Sequence, residues 1–238
     1  KRMAVNDHSL KVDGNYTGQT AEIASSVNLV RDRLMHIAES VERIGKGDTS
    51  EYEEYKKIGR RSDNDRIVPG FTNALGALRT LTSDADMLAK AAVDGRLETR
   101  ADATRHNGEY RKIVEGVNRT LDSVIGPLKV AADYVDKISR GTIPEKITDR
   151  YNGDFNILKN NINQCIDGLG GLVEANEVLA RMAVNDHSRG VQGTYQGIFA
   201  EVKTHVNEVR ERTTHVAEIL VRISKGDLSD GDGLRKSG

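Results

Sequence analysis

Apolar or small residues recur along 113–138 at Ile113, Val117, Leu121, Val124, Leu128, Ala131, Val135 and Ile138. The steps are 4, 4, 3, 4, 3, 4 and 3, a heptad seam carrying one extra four-residue step. This pattern predicts one long amphipathic helix. It stops at Ser139-Arg140-Gly141, where Gly141 suits the residue just past a helix end. The next stretch, Thr142 to Asn152, holds Pro144, no helical stripe, and two isolated hydrophobes, Ile143 and Ile147. Gly153-Asp154-Phe155 then opens a second helix, with Asp154 at its positive end and a seam through Leu158, Ile162, Cys165 and Leu169.

The same layout recurs. Asn28, Asn73, Asn118, Asn163 and Asn207 lie 45, 45, 45 and 44 residues apart. Four follow Val27, Val117, Ile162 or Val206 directly, and Asn73 follows Thr72. Ten residues upstream a second marker keeps step at Gly18, Gly108, Gly153 and Gly197, with Asp63 in the remaining slot. A period near 45 residues marks an array of one supersecondary unit. Arg2–Ser9 and Arg181–Ser188 carry the same eight residues, RMAVNDHS, and the match runs on to Lys46–Asp48 and Lys225–Asp227. The first and fifth repeats are therefore near copies. The chain is expected to open inside one repeat, to stop soon after starting a sixth, and to be a fragment of something longer.

Each repeat reads as a helix, a connector of about a dozen residues, and a second helix that continues into the first helix of the next repeat. A connector of that length spans a helix when extended, so both helices run the same way. Two short amphipathic helices bury little surface alone, and a homodimer closes a parallel four-helix bundle. A monomeric antiparallel array of spectrin type is the alternative, but it calls for short turns. The expected fold class is all-α: helix-connector-helix units forming parallel four-helix coiled coils as a homodimer, stacked end to end. The expected boundaries are 1–32 for a truncated first repeat, 33–79, 80–124, 125–170 and 171–212 for the next four, 213–230 for the start of a sixth, and 231–238 for a tail. The second repeat diverges. RRSDNDRIVPG replaces the expected helix start, and Pro69 stands where the helix should be running, so its second helix is expected to begin late, near Pro69, or to kink.

Composition agrees with a narrow helical seam. Apolar residues make up 37%, charged residues 30% and aromatics 4%, with no Trp. Three prolines leave long stretches free to be helical. A net charge of −1, with 35 basic and 36 acidic residues well mixed, gives no footprint for nucleic acid or an anionic membrane. No run of 18 apolar residues occurs, so no membrane-spanning helix is expected. The lone Cys165 fits a reduced, cytosolic setting.

Pro127-Leu128, Gly141, Gly153-Asp154-Phe155 and Ile162-Asn163 together resemble the HAMP domain of bacterial sensor proteins, repeated as a poly-HAMP array. They match the family's proline start, its glycine stop, the acidic-hydrophobic start of the second helix, and its hydrophobe-Asn pair. From Gly108 to Leu172 the wording also resembles the cytoplasmic part of methyl-accepting chemotaxis proteins. The resemblance implies a signal-relay segment between a sensor input and a C-terminal output. Its implied partners are a second copy of the chain, sensor and output domains of the same full-length protein, and a chemotaxis kinase and adaptor reached through a C-terminal part. A sensor histidine kinase is the alternative setting, and a structural spacer without switching is the alternative role.

No catalytic, cofactor-binding or metal-ligating set emerges from the residues. His8 and His187 share one repeat position, as do His36 and His215, and neither pairing has metal-ligand spacing. His36 and His215 read as solvated helix residues. Gly168, Gly170 and Gly171 follow no strand, so they read as weak helix packing at a junction and not as a phosphate loop. For the recurring asparagines two readings stay open: surface residues kept by copying of the unit, or side chains that bond the connector backbone and lock it to the helix.

The junctions between repeats come in two lengths. Asn28–Gly47 and Asn207–Gly226 span 19 residues; Asn73–Gly95, Asn118–Gly141 and Asn163–Asn185 span 22, 23 and 22. The short ones carry unbroken heptads, Val27 to Ile44 and Val206 to Ile223. The long ones absorb three or four extra residues, which locally overwind or unwind a coiled coil. Such phase steps would let neighbouring repeats hold different helix rotations.

Overall fold

The computed structural model describes residues 2–227. It is all-helical, with no strand among the described residues and six α-helices: α1 (Gln19–Gly45), α2 (Tyr52–Ile58), α3 (Ile67–Val93), α4 (Gly108–Ser139), α5 (Gly153–Met182) and α6 (Ile198–Ser224). Short 3-10 turns occupy Met3–Val5 and Ala103–Arg105. The boundary between two compact halves falls inside α4, after Asp122. Among the described residues no helix is long and apolar enough to cross a membrane.

Every long helix stops the same way, at the residue its spacing predicts. Gly47, Gly95, Gly141 and Gly226 take φ between 74° and 82°, and Asn185 takes 64°. Asn is the side chain that best tolerates this left-handed turn. The following N–H reaches back to the last turn: Asp48 to the Arg43 carbonyl at 2.9 Å, Thr142 to Lys137 at 3.0 Å, Asp186 to Arg181 at 3.0 Å. This is the Schellman arrangement. Asn6 closes an identical turn after Met3–Val5, with φ 61° and the Asp7 N–H on the Arg2 carbonyl at 3.1 Å. Helix starts are equally regular: Gly18 and Gly197 hold φ 58° and 56° with ψ near −140°, a region closed to residues with a Cβ.

The second repeat departs from the others, and the structure locates the departure. Its connector contains α2, a helix that the connector pattern does not predict. Asp63 does not open the next helix. Asp65 does: its carboxylate accepts the N–H groups of Ile67 at 2.9 Å and Val68 at 3.3 Å. Those two bonds satisfy the orphan donors of the first turn. α3 thus begins at Ile67, and Pro69 sits in its first turn, where a missing N–H costs nothing. α2 runs antiparallel to α3: Tyr52 lies by Gly76 and under Arg79, while Tyr55 stacks on Phe71 with centroids 4.9 Å apart. Tyr55, Val68 and Leu75 form the buried cluster, flanked by Ile44, Tyr52, Ile58 and Phe71.

In the second half, α5 and α6 run in the same direction. Gly168 meets Phe199 near the start of α6, and His187, just past the end of α5, meets Thr213 farther along it. Ala175, Val178, Val191 and Val206 make the core here, with Met182, Tyr195 and Val202 packed against it. Gly168 and Gly171 are therefore close-packing positions, each covered by an aromatic ring, and not weak packing. In α5 the inward residue is Ile166, while Cys165, one step round, is exposed.

Candidate functional site

The connectors are held to the helices by one device, used four times. Asn163 accepts the Ile147 N–H at 2.7 Å and donates to the Ile147 carbonyl at 3.0 Å. Asn118 does the same to Ala101 at 3.1 and 2.8 Å, Asn28 to Val12 at 2.8 and 2.9 Å, and Asn207 to Val191 at 2.9 and 3.1 Å. A primary amide is the neutral side chain that presents one acceptor and two donors in a plane, matching one residue's N–H and C=O. Ala101, Ile147 and Val191 are buried, so the asparagine satisfies backbone groups that water does not reach. The locking reading of the asparagines is the one the geometry supports. Asn73 makes no such bond and is exposed, because residues 52–58 at the matching distance are helical.

A second contact comes from the preceding helix. In the fifth repeat, Glu174 on α5 accepts the N–H groups of Gln192 at 2.6 Å and Gly193 at 3.0 Å and the Tyr195 hydroxyl at 2.7 Å. The Gln192 bond does most to hold the Glu174 carboxyl below its usual range. The Glu174 bond pushes the Tyr195 phenol up to about 12. Lys203 closes the connector from α6, donating to the Gln192 and Gly193 carbonyls at 3.1 and 2.7 Å. In the third repeat the counterpart is buried Asp84 on α3, which bonds the ring Nε2 of buried His106 at 2.7 Å and the Arg105 guanidinium at 3.0 Å. In the second it is Ser40 on α1, wholly buried, with its hydroxyl 2.8 Å from that of Tyr55. His36 is exposed but stacks on Tyr55, its Nε2 3.4 Å from the hydroxyl. These helix-to-connector pairs escape a periodic reading, since a different residue pair serves each repeat. The available signal is local: Ser40 is polar where the near copy has Ile219.

Many seam residues stay open to solvent in the single chain, although Val206 at the head of the α6 seam is buried. Val117, Val124, Leu128 and Val135 on α4 are 41–61% exposed, and Val209, Val216, Leu220 and Ile223 on α6 are 45–60% exposed. Val114 and Ile125, one residue from seam positions, are buried. α4 and α6 therefore each carry two apolar faces, one closed by its own chain, with Val114 and Ile125 on α4 and Val206 and Ile219 on α6, and one not. Among the described residues no group of three His, Cys, Asp or Glu side chains converges as a metal would need.

The HAMP domain family matches residues 105–171, the segment from the end of the third connector through α4, the fourth connector and the first part of α5. A HAMP domain is a signal-relay linker and not a catalytic one. No solved structure matches the chain.

Proposed function

We propose that the whole chain is a tandem HAMP array that relays conformational change along a parallel homodimer, in the cytoplasmic part of a chemotaxis-type receptor. The repeats are those of 1–32, 33–79, 80–124, 125–170 and 171–212, with a sixth beginning at 213; residues 228–238, with the tail, lie outside the described residues. One observation carries this reading. The Asn163–Ile147 clamp lies wholly inside the matched segment, and the same clamp recurs on both sides of it, at Asn28–Val12 and Asn207–Val191. Schellman stops at Gly47, Gly95, Gly141, Asn185 and Gly226 recur once per repeat, 48, 46, 44 and 41 residues apart.

The open faces support the dimer. Stripes such as Val117–Val124–Leu128–Val135 are too continuous to leave in water, and a second copy covers like with like. A parallel pairing keeps the two connectors on the outside and brings equivalent seam residues together. Relay then needs helices that turn or shift as bodies. The clamps serve this by tying each connector to its helices, so the first helix of a repeat cannot move without the second.

Deleting Leu121–Val124 tests the relay. It shortens the Asn118 junction from 23 residues to 19, the short class, and turns the helix below the cut by roughly 40°. In a full-length receptor the output should lock or invert at normal protein levels. Removing seven residues from the same point deletes a heptad and keeps the phase step, so signalling should stay nearer normal. Equal behaviour of the two deletions would favour a passive spacer.

A further inference from the structure

The divergent second repeat carries a half-open pocket of about 220 Å³ between α1, the end of the connector and the start of α3. Ile37 and Val68 supply apolar wall, and Tyr55 closes one side. Arg33 and His36 reach it from α1, and Arg61 from the connector. Asp65 is the one carboxylate in the lining, and it is already engaged by the N–H groups of Arg61, Ile67 and Val68. The Arg33 and Arg61 guanidinium groups hydrogen-bond no other described residue and pair with no carboxylate within 4 Å; Arg61 acts on Asp65 only at longer range. Two uncommitted cations thus stand over an apolar wall, against one carboxylate that already accepts three backbone N–H bonds.

We propose that this pocket binds a small organic carboxylate. Its hydrocarbon body would lie against Ile37 and Val68, and its carboxylate would pair with Arg33 and Arg61. Guanidinium suits this partner because its planar fork meets both carboxylate oxygens at once. The volume lies below the roughly 300–1,000 Å³ of drug-sized sites, which limits the ligand to about the size of benzoate. Binding there joins α1 to the connector and α3. It therefore ties the helices of the one repeat whose asparagine, Asn73, makes no clamp. The proposal does not depend on the relay reading.

The chain contains its own control. Arg212, His215 and Val216 on α6 stand at the repeat positions of Arg33, His36 and Ile37, without the α2 connector beside them. The experiment is a titration of the full chain with sodium benzoate to about 10 mM, read on the histidine imidazole NMR signals. Benzamide, chloride and inorganic phosphate serve as the other arms. The expected result is a saturable shift at His36, none at His215, and none with benzamide or the inorganic anions. Arg33→Ala and Arg61→Ala remove exposed side chains, so the melting curve should hold while binding weakens about tenfold or more. Arg33→Lys and Arg61→Lys keep the charge without the fork and should fall between parent and alanine. The proposal is overturned by no saturable shift at His36, by His36 and His215 moving together, by benzamide binding as well as benzoate, or by all four variants binding like the parent.

Discussion

A Cβ added at Gly168 would stand 2.4 Å from the Phe199 ring. Phe199 lies in the first turn of α6, so this close approach fixes where α6 enters against α5. Glycine inside a helix normally costs about 1 kcal/mol against alanine. Here the order should reverse, and Gly168→Ala should lower stability by about 1–3 kcal/mol through overpacking. Gly126 in α4 has nothing within 4 Å of its would-be Cβ, so Gly126→Ala should raise stability by up to about 1 kcal/mol. Thermal melts of the two variants check the pair.

The clamp asparagines should be the most sensitive polar positions of their helices. Asn207→Ala removes both bonds to Val191, whose backbone is almost wholly buried, at a cost of about 2–4 kcal/mol. Asn207→Asp keeps the acceptor and sets a carboxylate against the Val191 carbonyl, so it should not rescue. Asn73→Ala should stay within about 0.5 kcal/mol of the parent. Equal effects at both positions would mean that the clamp carries no stability.

Those two asparagines show how far the sequence could be read. A 45-residue period exposes whatever the fold repeats: the stops at Gly47 to Gly226, the starts at Gly18 and Gly197, and an asparagine whose partner lies 16 or 17 residues upstream. It hides whatever one repeat does alone. α2 is only seven residues, rich in Glu and Lys, and its register against α3 is set by Tyr55 stacking on Phe71, a contact between elements. Asp84 and His106 lie 22 residues apart on different elements, and no spacing rule joins them. The open seam was legible as heptads, but the face each helix closes within its own chain, with Val114, Ile125 and Ile166, depends on how connectors pack.

The Asp84–His106 contact should be costly to break from one side. Both side chains are at least 95% buried, and the exposed Arg105 bonds the same carboxylate. Asp84→Ala leaves buried His106 without its partner and should cost about 3 kcal/mol or more in a denaturant melt. Replacing both by well-packed apolar residues should recover most of that loss.

Stability should fall in acid partly through Glu174. Its folded carboxyl titrates below the ordinary value of 4.5, so its contribution is present above that value and is lost as pH drops through the folded one. Tyr195 has the opposite sense. Its phenol, raised from 10.0 to about 12, adds stability that is complete below 10.0 and is lost as pH rises through about 12. Glu174→Gln should flatten the acid limb, and Tyr195→Phe the alkaline limb, of a melting temperature against pH series.

A parallel dimer sealed along the seam makes a sharp demand on symmetric cross-linking. In a Cys165→Ser background, Val30→Cys and Val135→Cys each place one thiol on the open stripe, where the native side chains are 52% and 61% exposed in the single chain. A parallel homodimer brings each residue beside its own copy, so both variants should form same-residue disulfide dimers under mild oxidation, within the geometry a disulfide allows. Lys137→Cys, off the stripe, should not. A monomer would cross-link at neither position, and an antiparallel dimer would cross-link at one at most. Either result would rule out the parallel dimer.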